Sequence, residues 1–322
     1  MNYFYELAVK SESGQRLTEK EIKNLLELPY RDTFQLFPGA TLLREKYHGA
    51  KIGVCSITNA KSGSCSEDCS FCAQSAHYKQ RIHNYPLKSH HELVDIGMVA
   101  AGTGCGRFSI VTSGKGLSRN EVEEVCKAVV ELKARNVSVC ASLGILTEMD
   151  FKLLKEAGLT RYHHNLETAP DFFAKICTTH DFSHRVQTIN AAVKAGLDVC
   201  SGAVFGLGET DAHVIQLAMV LKELDVVSVP VNFLVPIPGT PLENSPRITP
   251  LRCLKIICML RYILPEKDII VCGGRVENLG ELHPFIYPAG ASSVMTGNYL
   301  TRQGRNSGED MRLIREMGLE VL

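Results

Sequence analysis

Three cysteines stand close together in one short polar stretch, GSCSEDCSFCAQS, with the spacing C-x3-C-x2-C. Cys65, Cys69 and Cys72 are too many for one disulfide and one short of the four ligands of an ordinary structural zinc site. His77 or His83 could complete a zinc site, although structural zinc motifs usually arrange their ligands in two pairs. A [4Fe–4S] cluster held by three thiolates fits the spacing better, because it leaves one iron open to another molecule.

The elements that must position this stretch alternate in type along the chain. Short apolar or small-residue runs predict strands, and amphipathic stretches between most of them predict helices, several of which end at glycine or asparagine. The predicted strands are residues 51–58, 107–113, 137–144, 160–167, 197–206, 226–235, 268–274 and 291–297. Eight such units predict an α/β fold of the TIM-type (β/α)8 barrel, with an open doubly wound sheet as the alternative.

A helical extension precedes the first predicted strand. Thr18 and Glu21 have the spacing of a capping box at the start of a leucine-rich helical segment. We therefore predict an N-terminal helical extension over residues 1–50, the barrel over 51–300 and a C-terminal helical segment over 301–322 that packs on it. The cysteine loop follows the first strand directly, which places it at the carboxyl end of the barrel, where active sites form.

Composition narrows the classes of function. The chain has 322 residues, of which 45% are apolar, so it can bury a large core. Basic and acidic residues balance at 35 each, so the chain lacks the excess of positive charge that is typical of proteins that bind nucleic acid or an anionic membrane. We see no long apolar run and no signal-peptide pattern, and therefore expect a cytoplasmic protein whose thiols stay reduced.

Twelve cysteines in a reducing compartment need an explanation other than disulfides. Five are expected to be ordinary small core residues, the first of them in a glycine-rich loop: Cys105, Cys126, Cys177, Cys253 and Cys258. Four others fall on odd-numbered predicted strands: Cys55, Cys140, Cys200 and Cys272. Alternate strands supply one interior layer of a TIM barrel, so these four thiols are expected to form a ring. They are either small side chains that fill the barrel or, as we favour, soft ligands of a second metal centre.

The cysteine loop after a first barrel strand resembles the radical S-adenosylmethionine (SAM) superfamily, in which SAM binds the open iron and yields a 5′-deoxyadenosyl radical. Longer stretches resemble the biotin synthase family in the same order: CSEDCSFCAQS, HHNLETAP, TTHDFSHRVQTI, CSGAVFGLGET and VPVNFLVPIPGTPL. The likeness extends over about residues 50–300. It implies that dethiobiotin is converted to biotin, with sulfur from an auxiliary iron–sulfur cluster inside the barrel.

The ring departs from the family's familiar pattern of three cysteines and one arginine around a [2Fe–2S] cluster. Ser109 stands at the family's strand-2 cysteine, and Ile270 lies at about the position of its arginine. Two ring cysteines are shared with that pattern, whereas Cys55 and Cys272 are additional. The ring resembles a second type of biotin synthase with a four-iron auxiliary cluster and an extra sulfide. We expect that cluster rather than a [2Fe–2S] one.

The resemblance also implies contacts with SAM. Asn165 and Glu167 match the asparagine and aspartate that hold the SAM ribose, and their spacing places both on one side of a strand. Phe71 is expected near the adenine and Arg185 near the SAM carboxylate. A solvated strand end and an exposed helix arginine are the alternatives. The glycine turn at residues 206–210 is expected to bring backbone close to SAM.

Two further polar residues are expected at the substrate. His163 stands where the family often has an asparagine near the ureido ring of dethiobiotin. Asn232 is a polar residue in an otherwise apolar strand, and a buried amide needs a partner. The resemblance makes the ureido ring that partner. Because no serine triad and no acid–base pair are evident, we expect cofactors to supply the chemistry.

The resemblance implies partners as well. They are SAM, dethiobiotin, a flavodoxin or ferredoxin electron donor, iron–sulfur assembly proteins and a second copy of the chain in a homodimer. One alternative is another radical SAM enzyme of the same subgroup, such as the hydrogenase maturase or the methylornithine synthase, which has no evident need for a four-thiol ring. The other is a zinc-stabilised binding protein without catalysis.

Overall fold

The computed structural model describes residues 2–79 and 82–322. Eight parallel strand positions close into a barrel, since the first pairs with both the second and the last. The strands are β1 (Lys51–Lys61), β2 (Arg107–Thr112), β3 (Val139–Ser142), β4 (Arg161–His163), β5 (Asp198–Cys200), β6 (Ala203–Phe205), β7 (Ser228–Phe233), β8 (Asp268–Val271) and β9 (Ser293–Thr296). The barrel prediction is confirmed, and the doubly wound alternative is wrong.

The fifth barrel position is split into β5 and β6, which both pair with β7. Gly202 lies at the break, and its Cα approaches the neighbouring strand closely. A Cβ there would lie 1.9 Å from the carbonyl oxygen of Pro230, so only glycine fits. The sequence pattern predicts one continuous strand here because it does not report this close approach.

The helices surround the barrel and carry the caps that the sequence predicts. They are α1 (Tyr3–Glu12), α2 (Glu19–Glu27), α3 (Phe37–His48), α4 (His90–Gly102), α5 (Arg119–Ala134), α6 (Glu148–Ala157), α7 (Pro170–Phe173), α8 (Phe182–Lys194), α9 (Asp211–Glu223), α10 (Pro250–Ile263), α11 (Arg275–Leu279) and α12 (Ser307–Glu316). For example, Thr147 and Asp150 form a capping box on α6, and Gly158 ends that helix with a φ of 104°. None of these helices is long and apolar enough to cross a membrane.

The N-terminal helices cover the outer face of α10. The capping box of Thr18 and Glu21 forms as predicted. Lys255 of α10 is buried, and its Nζ donates hydrogen bonds at 2.5 Å to the carbonyl oxygens of Leu26, in the last turn of α2, and of Leu28, just beyond its end. A cation at a helix C-terminus is stabilised by the helix dipole. With the barrel on one side and this extension on the other, α10 is buried nearly all round.

The C-terminal segment adds one element that was not predicted. After α12, a two-residue strand, β10 (Glu320–Val321), pairs in parallel with the start of β1. Arg275 and Asp310 form a fully buried ion pair that ties α12 to the barrel. The division of the chain into three domains stays a prediction.

Candidate active site inside the barrel

A cavity of ≈ 430 Å³ opens at the carboxyl ends of the barrel strands. It brings together ten of the thirteen predicted site residues: Cys65, Cys69, Phe71, Cys72, His163, Asn165, Glu167, Arg185, Asn232 and Cys272. The other three, Cys55, Cys140 and Cys200, are buried and do not line the cavity. One wall therefore carries the loop thiols, and one thiol of the ring faces the same space.

The cysteine loop folds back on itself between β1 and α4. The N–H of Cys65 donates to the carbonyl oxygen of Gln74 at 3.0 Å, and the N–H of Ala76 donates back to Cys65 at 2.8 Å. Within the loop, the N–H of Cys72 donates to the carbonyl oxygen of Cys69 at 2.9 Å. These bonds fix the loop backbone while its three side chains line the cavity.

A second segment, residues 177–180, holds the loop in place. The Asp68 carboxylate accepts the N–H groups of Thr178 at 2.8 Å and Thr179 at 3.2 Å, and it also accepts the Thr178 hydroxyl. The Thr179 hydroxyl donates to Glu67 at 2.7 Å. Although burial raises the pKa of Asp68, the hydrogen bonds from Thr178 hold that pKa well below its ordinary value.

Cys177 is not the isolated core cysteine that the sequence predicts. Its thiol is buried, forms a hydrogen bond with Cys69, and lies 3.3 Å from Nδ1 of His180. The hydrogen bond from Cys69 lowers the pKa of Cys177 to about 4, against the opposing effect of burial. The C-x2-H spacing in ICTTHD was a signal for the local contact between Cys177 and His180. It could not indicate Cys69, which lies far away along the chain.

The zinc alternative finds no support in the described residues. A single ion needs ligand atoms close together, and two groups meet that condition there: Glu67 with Cys177 and His180, and His90 with His91 and Glu131. Neither group is the three-cysteine loop set or the ring. His77 instead bonds the carbonyl oxygen of Ser66 at 2.9 Å. A cluster of several atoms holds its ligands farther apart than one ion does, which fits both cysteine sets.

Asn165, Glu167 and Arg185 form one polar group on the cavity wall. Nη1 of Arg185 donates to the carbonyl oxygen of Asn165 at 2.9 Å and lies 3.5 Å from Oε1 of Glu167. The expected strand geometry is wrong here, because β4 ends at His163 and Glu167 has a φ of 69°. Burial raises the pKa of Glu167 although the Arg185 charge opposes this. Arg185 is buried, so the exposed-arginine alternative is also wrong.

The two residues predicted to contact the substrate, Asn232 and His163, differ in whether their side chains already have hydrogen-bond partners. The Asn232 amide donates to the carbonyl oxygen of Ala203 at 3.1 Å and accepts the Gly273 N–H at 3.0 Å. It therefore has partners in the chain and keeps one N–H for another. His163 has a buried Nε2 without a partner among the described residues. Residues 206–210, expected to approach SAM, do not line the cavity.

The four ring cysteines lie at the barrel centre, outside the main hydrophobic core that contains Cys253 and Cys258. Cys272 follows β8 directly, and its N–H donates to the carbonyl oxygen of Val231 at 2.8 Å. Burial raises the pKa of Cys272 well above its ordinary value, and negative charge on Cys55 and Cys200 raises it further. Burial likewise raises the pKa of the Cys55 thiol. Metal binding would have to displace these protons.

The surroundings of the ring fit an anionic, sulfide-rich group. Ser109 and Arg161 are the register partners of Cys140 on the two neighbouring strands. Ser109 Oγ and Arg161 Nε are buried, and neither has a hydrogen-bond partner in the described part of the chain. Unsatisfied buried donors beside thiols need an acceptor, and the sulfides of a cluster provide one. The sequence analysis missed Arg161.

Two family models match most of the chain. Residues 61–221 match the radical SAM superfamily, and residues 230–320 match the Biotin and Thiamin Synthesis associated domain. The first match begins at the end of β1 and includes the cysteine loop. The second covers β7 to β10, including Asn232 and Cys272.

Curated relatives match this chain over nearly its full length. A biotin synthase from Desulfatibacillum aliphaticivorans is 48% identical, covering 98% of this chain and 97% of the relative. One from Geobacter sulfurreducens is 45% identical, covering 100% and 98%. Among solved structures, a methylornithine synthase superposes with a TM-score of 0.86 over 98% of this chain and 97% of that one, at 21% identity.

The FeFe-hydrogenase maturase HydG from Carboxydothermus hydrogenoformans superposes with a TM-score of 0.81, covering 99% of this chain and 79% of that one, at 20% identity. At such low identity, these structures share the fold and give no support to a maturase or methylornithine synthase activity. The full-length relatives instead determine the family. This chain belongs to the biotin synthase family of radical SAM enzymes.

Proposed function

We propose that this enzyme converts dethiobiotin to biotin with sulfur from a four-iron auxiliary cluster held by the ring. The observation that carries the proposal is that the loop thiols and the ring thiol Cys272 line one cavity. When bound, the loop cluster and SAM supply a radical that removes hydrogen from saturated carbon, and the auxiliary cluster supplies the sulfur. The chain itself binds, orients and shields these groups.

The cavity wall provides the SAM site in this proposal. Cys65, Cys69 and Cys72 hold the loop cluster. Asn165 and Glu167 accept and donate hydrogen bonds at the ribose, Arg185 pairs with the carboxylate, and Phe71 covers the adenine. The support is that these seven side chains line one continuous surface. Arg185 also contacts the backbone carbonyl of Asn165 and the carboxylate of Glu167, which supports a common site for the three residues.

The substrate site lies between this surface and the ring. His163 pairs in register with Cys200, so it stands on the strand next to a ring ligand. Asn232 keeps one amide N–H without a partner among the described residues, and this N–H would donate to the ureido carbonyl of dethiobiotin. Backbone bonds to Ala203 and Gly273 hold that amide rigidly in place. A rigid donor restricts the substrate to the orientation in which its saturated carbons face Cys272.

The ring provides the sulfur site. Cys55, Cys140, Cys200 and Cys272 would hold the auxiliary cluster, and four thiolates suit four irons. Three of these thiols are sealed beneath the cavity, while Cys272 forms part of its wall. Cys272 would therefore be the ring ligand that adjoins the substrate site. Burial of the ring also keeps water away from the exposed sulfides.

The proposal extends to partners and location. Family resemblance supports a homodimer, a flavodoxin or ferredoxin electron donor and iron–sulfur assembly proteins. All twelve cysteines are free, and free thiols and iron–sulfur clusters suit a reducing compartment such as the cytoplasm.

Anaerobic turnover with SAM, dethiobiotin and a reductant tests the proposed reaction. We expect biotin together with deoxyadenosine. Deoxyadenosine without biotin, from protein that carries both clusters, would contradict the substrate assignment. Iron and sulfide analysis tests the cluster type, since about eight irons per chain indicate two four-iron clusters and about six indicate a [2Fe–2S] auxiliary cluster.

A further inference from the structure

Arg161 is a buried cation at the floor of the ring. It begins β4 and is the register partner of Cys140 on β3. Its Nη1 lies 3.0 Å from Oγ of Ser228 and 3.7 Å from Sγ of Cys200. Only 8% of the residue is exposed. The guanidinium therefore contacts one ring cysteine, Cys200, from a strand that pairs with the strand of another, Cys140.

The charge on Arg161 is poorly compensated by the protein. A buried guanidinium is strongly destabilising unless an anion or several acceptors surround it. The nearest carboxylate belongs to Asp198, whose side chain is 58% exposed and 3.9 Å away, so this pair is weak. Protonated thiols and the Ser228 hydroxyl carry no charge. Burial lowers the pKa of Arg161, whereas negative charge at Cys200, Cys140 and, to a smaller extent, Asp268 raises it above its ordinary value.

A second buried arginine shows what a purely structural role looks like. Arg261 in α10 donates to the carbonyl oxygens of Gly290, Pro265 and Lys267 at 2.8–2.9 Å. Arg161 donates to no carbonyl oxygen in the described part of the chain, and its Nε has no partner. Its free donors lie beside the thiols instead. The fold positions Arg261 with backbone acceptors and leaves Arg161 open towards the ring.

We propose that Arg161 is the fixed cation of the auxiliary site and donates hydrogen bonds to a ring thiolate and to sulfide of the bound cluster. The inference rests on the proposed function, because it requires that the ring holds an iron–sulfur cluster. A cation and hydrogen-bond donors beside a cluster stabilise its more negative, reduced form and so raise its reduction potential. Arginine suits this role better than lysine, because its planar fork presents several donors at once.

The test compares Arg161→Met, which keeps the length of the side chain without its charge, with Arg161→Lys, which keeps the charge. Each reconstituted full-length protein is assayed for iron and sulfide and titrated with a reductant while both clusters are followed by EPR. We expect a lower auxiliary-cluster potential in Arg161→Met, or loss of that cluster with iron falling from about eight to about four per chain. Arg161→Lys should fall between this variant and the wild type, and the loop cluster should be unchanged throughout.

Asp198→Asn is the matched control, because it removes the weak ion pair and leaves the ring contact intact. It should leave the auxiliary potential at the wild-type value. Equal auxiliary potentials and cluster contents in the methionine and lysine variants would overturn the proposal, even if both differ from the wild type, because charge would then not matter. A wild-type protein without any auxiliary cluster would instead overturn the proposed function.

Discussion

The two cysteine sites are built in different ways. The loop thiols stand on a segment without regular secondary structure, and Asp68 and Glu67 attach that segment to residues 177–180. The ring thiols stand in or directly after barrel strands, where parallel pairing fixes each position. Side-chain hydrogen bonds therefore position one site, and the backbone ladder of the barrel positions the other.

This difference matches the task that we propose for each site. A cluster that binds SAM must leave one iron accessible, and a loop at the mouth of the barrel provides that access. A cluster that gives up sulfur must be protected until the substrate is activated, and a sealed barrel centre protects it. In the part of the chain that the structure describes, Cys272 is the one ring cysteine that lines the cavity. Substitutions at the two sites should therefore impair different steps, namely deoxyadenosine formation at the loop and biotin formation at the ring.

The largest effect is expected at the loop. Cys69→Ala removes one of three thiolate ligands, so we expect no loop cluster and no deoxyadenosine above background. Iron should fall from about eight to about four per chain, while the ring retains its cluster. Iron analysis and the spectrum of the remaining cluster measure this. Cys253→Ala, in the core of α10, is the matched control and should leave both clusters in place. Substantial SAM cleavage by Cys69→Ala would contradict the assignment.

The next effect separates the two sites. Cys272→Ala removes the ring ligand that faces the cavity and leaves the loop untouched. We expect deoxyadenosine to form within about tenfold of the wild-type rate, since the loop-cluster ligands are intact. Biotin should be undetectable. Product analysis of single-turnover reactions measures both quantities. If the auxiliary spectrum of Cys272→Ala equals that of the wild type, the ring has been assigned wrongly.

Sequence patterns placed four cysteines on alternate strands of the barrel because strand order depends on regular geometry. Thiols on alternate strands are expected to share one interior layer, and the ligand ring itself stays a prediction. Arg161 could also have been found from the sequence, because it precedes His163 by two residues on one strand and so faces the same side. Cys177 could not be found in this way, because its contact with Cys69 joins two loops and no periodic pattern relates them.

A smaller effect is expected on SAM binding. Glu167→Gln removes a buried carboxylate that faces Arg185 and, as proposed, the ribose hydroxyls. Loss of hydrogen bonds to a charged group costs about 1.5–3 kcal/mol, which is about a 10- to 150-fold higher Kd for SAM. Equilibrium binding to the reconstituted protein measures this. Glu167→Asp keeps the charge and should bind more tightly than Glu167→Gln. Equal affinity of the two variants would contradict the proposed ribose contact.

The smallest effect concerns the attachment of the loop, and it depends on pH. The folded-state pKa of Asp68 is lowered, so the carboxylate stabilises the fold above its unfolded pKa of about 3.9. That contribution is lost as the pH falls towards the lower folded-state value. Asp68→Asn should therefore lower the free energy of unfolding by about 1–2 kcal/mol at pH 7 and by a smaller amount near pH 3, where part of the contribution of the carboxylate is already lost.

Urea unfolding of the cluster-free protein at both pH values measures this, since clusters decompose in acid. Asp95→Asn, at an exposed position on α4, is the control and should change little at either pH. An equal loss of stability for Asp68→Asn at pH 7 and pH 3 would show that the carboxylate charge does not hold the loop. The contrast between the two cysteine sites would then need another cause, such as the backbone bonds within the loop itself.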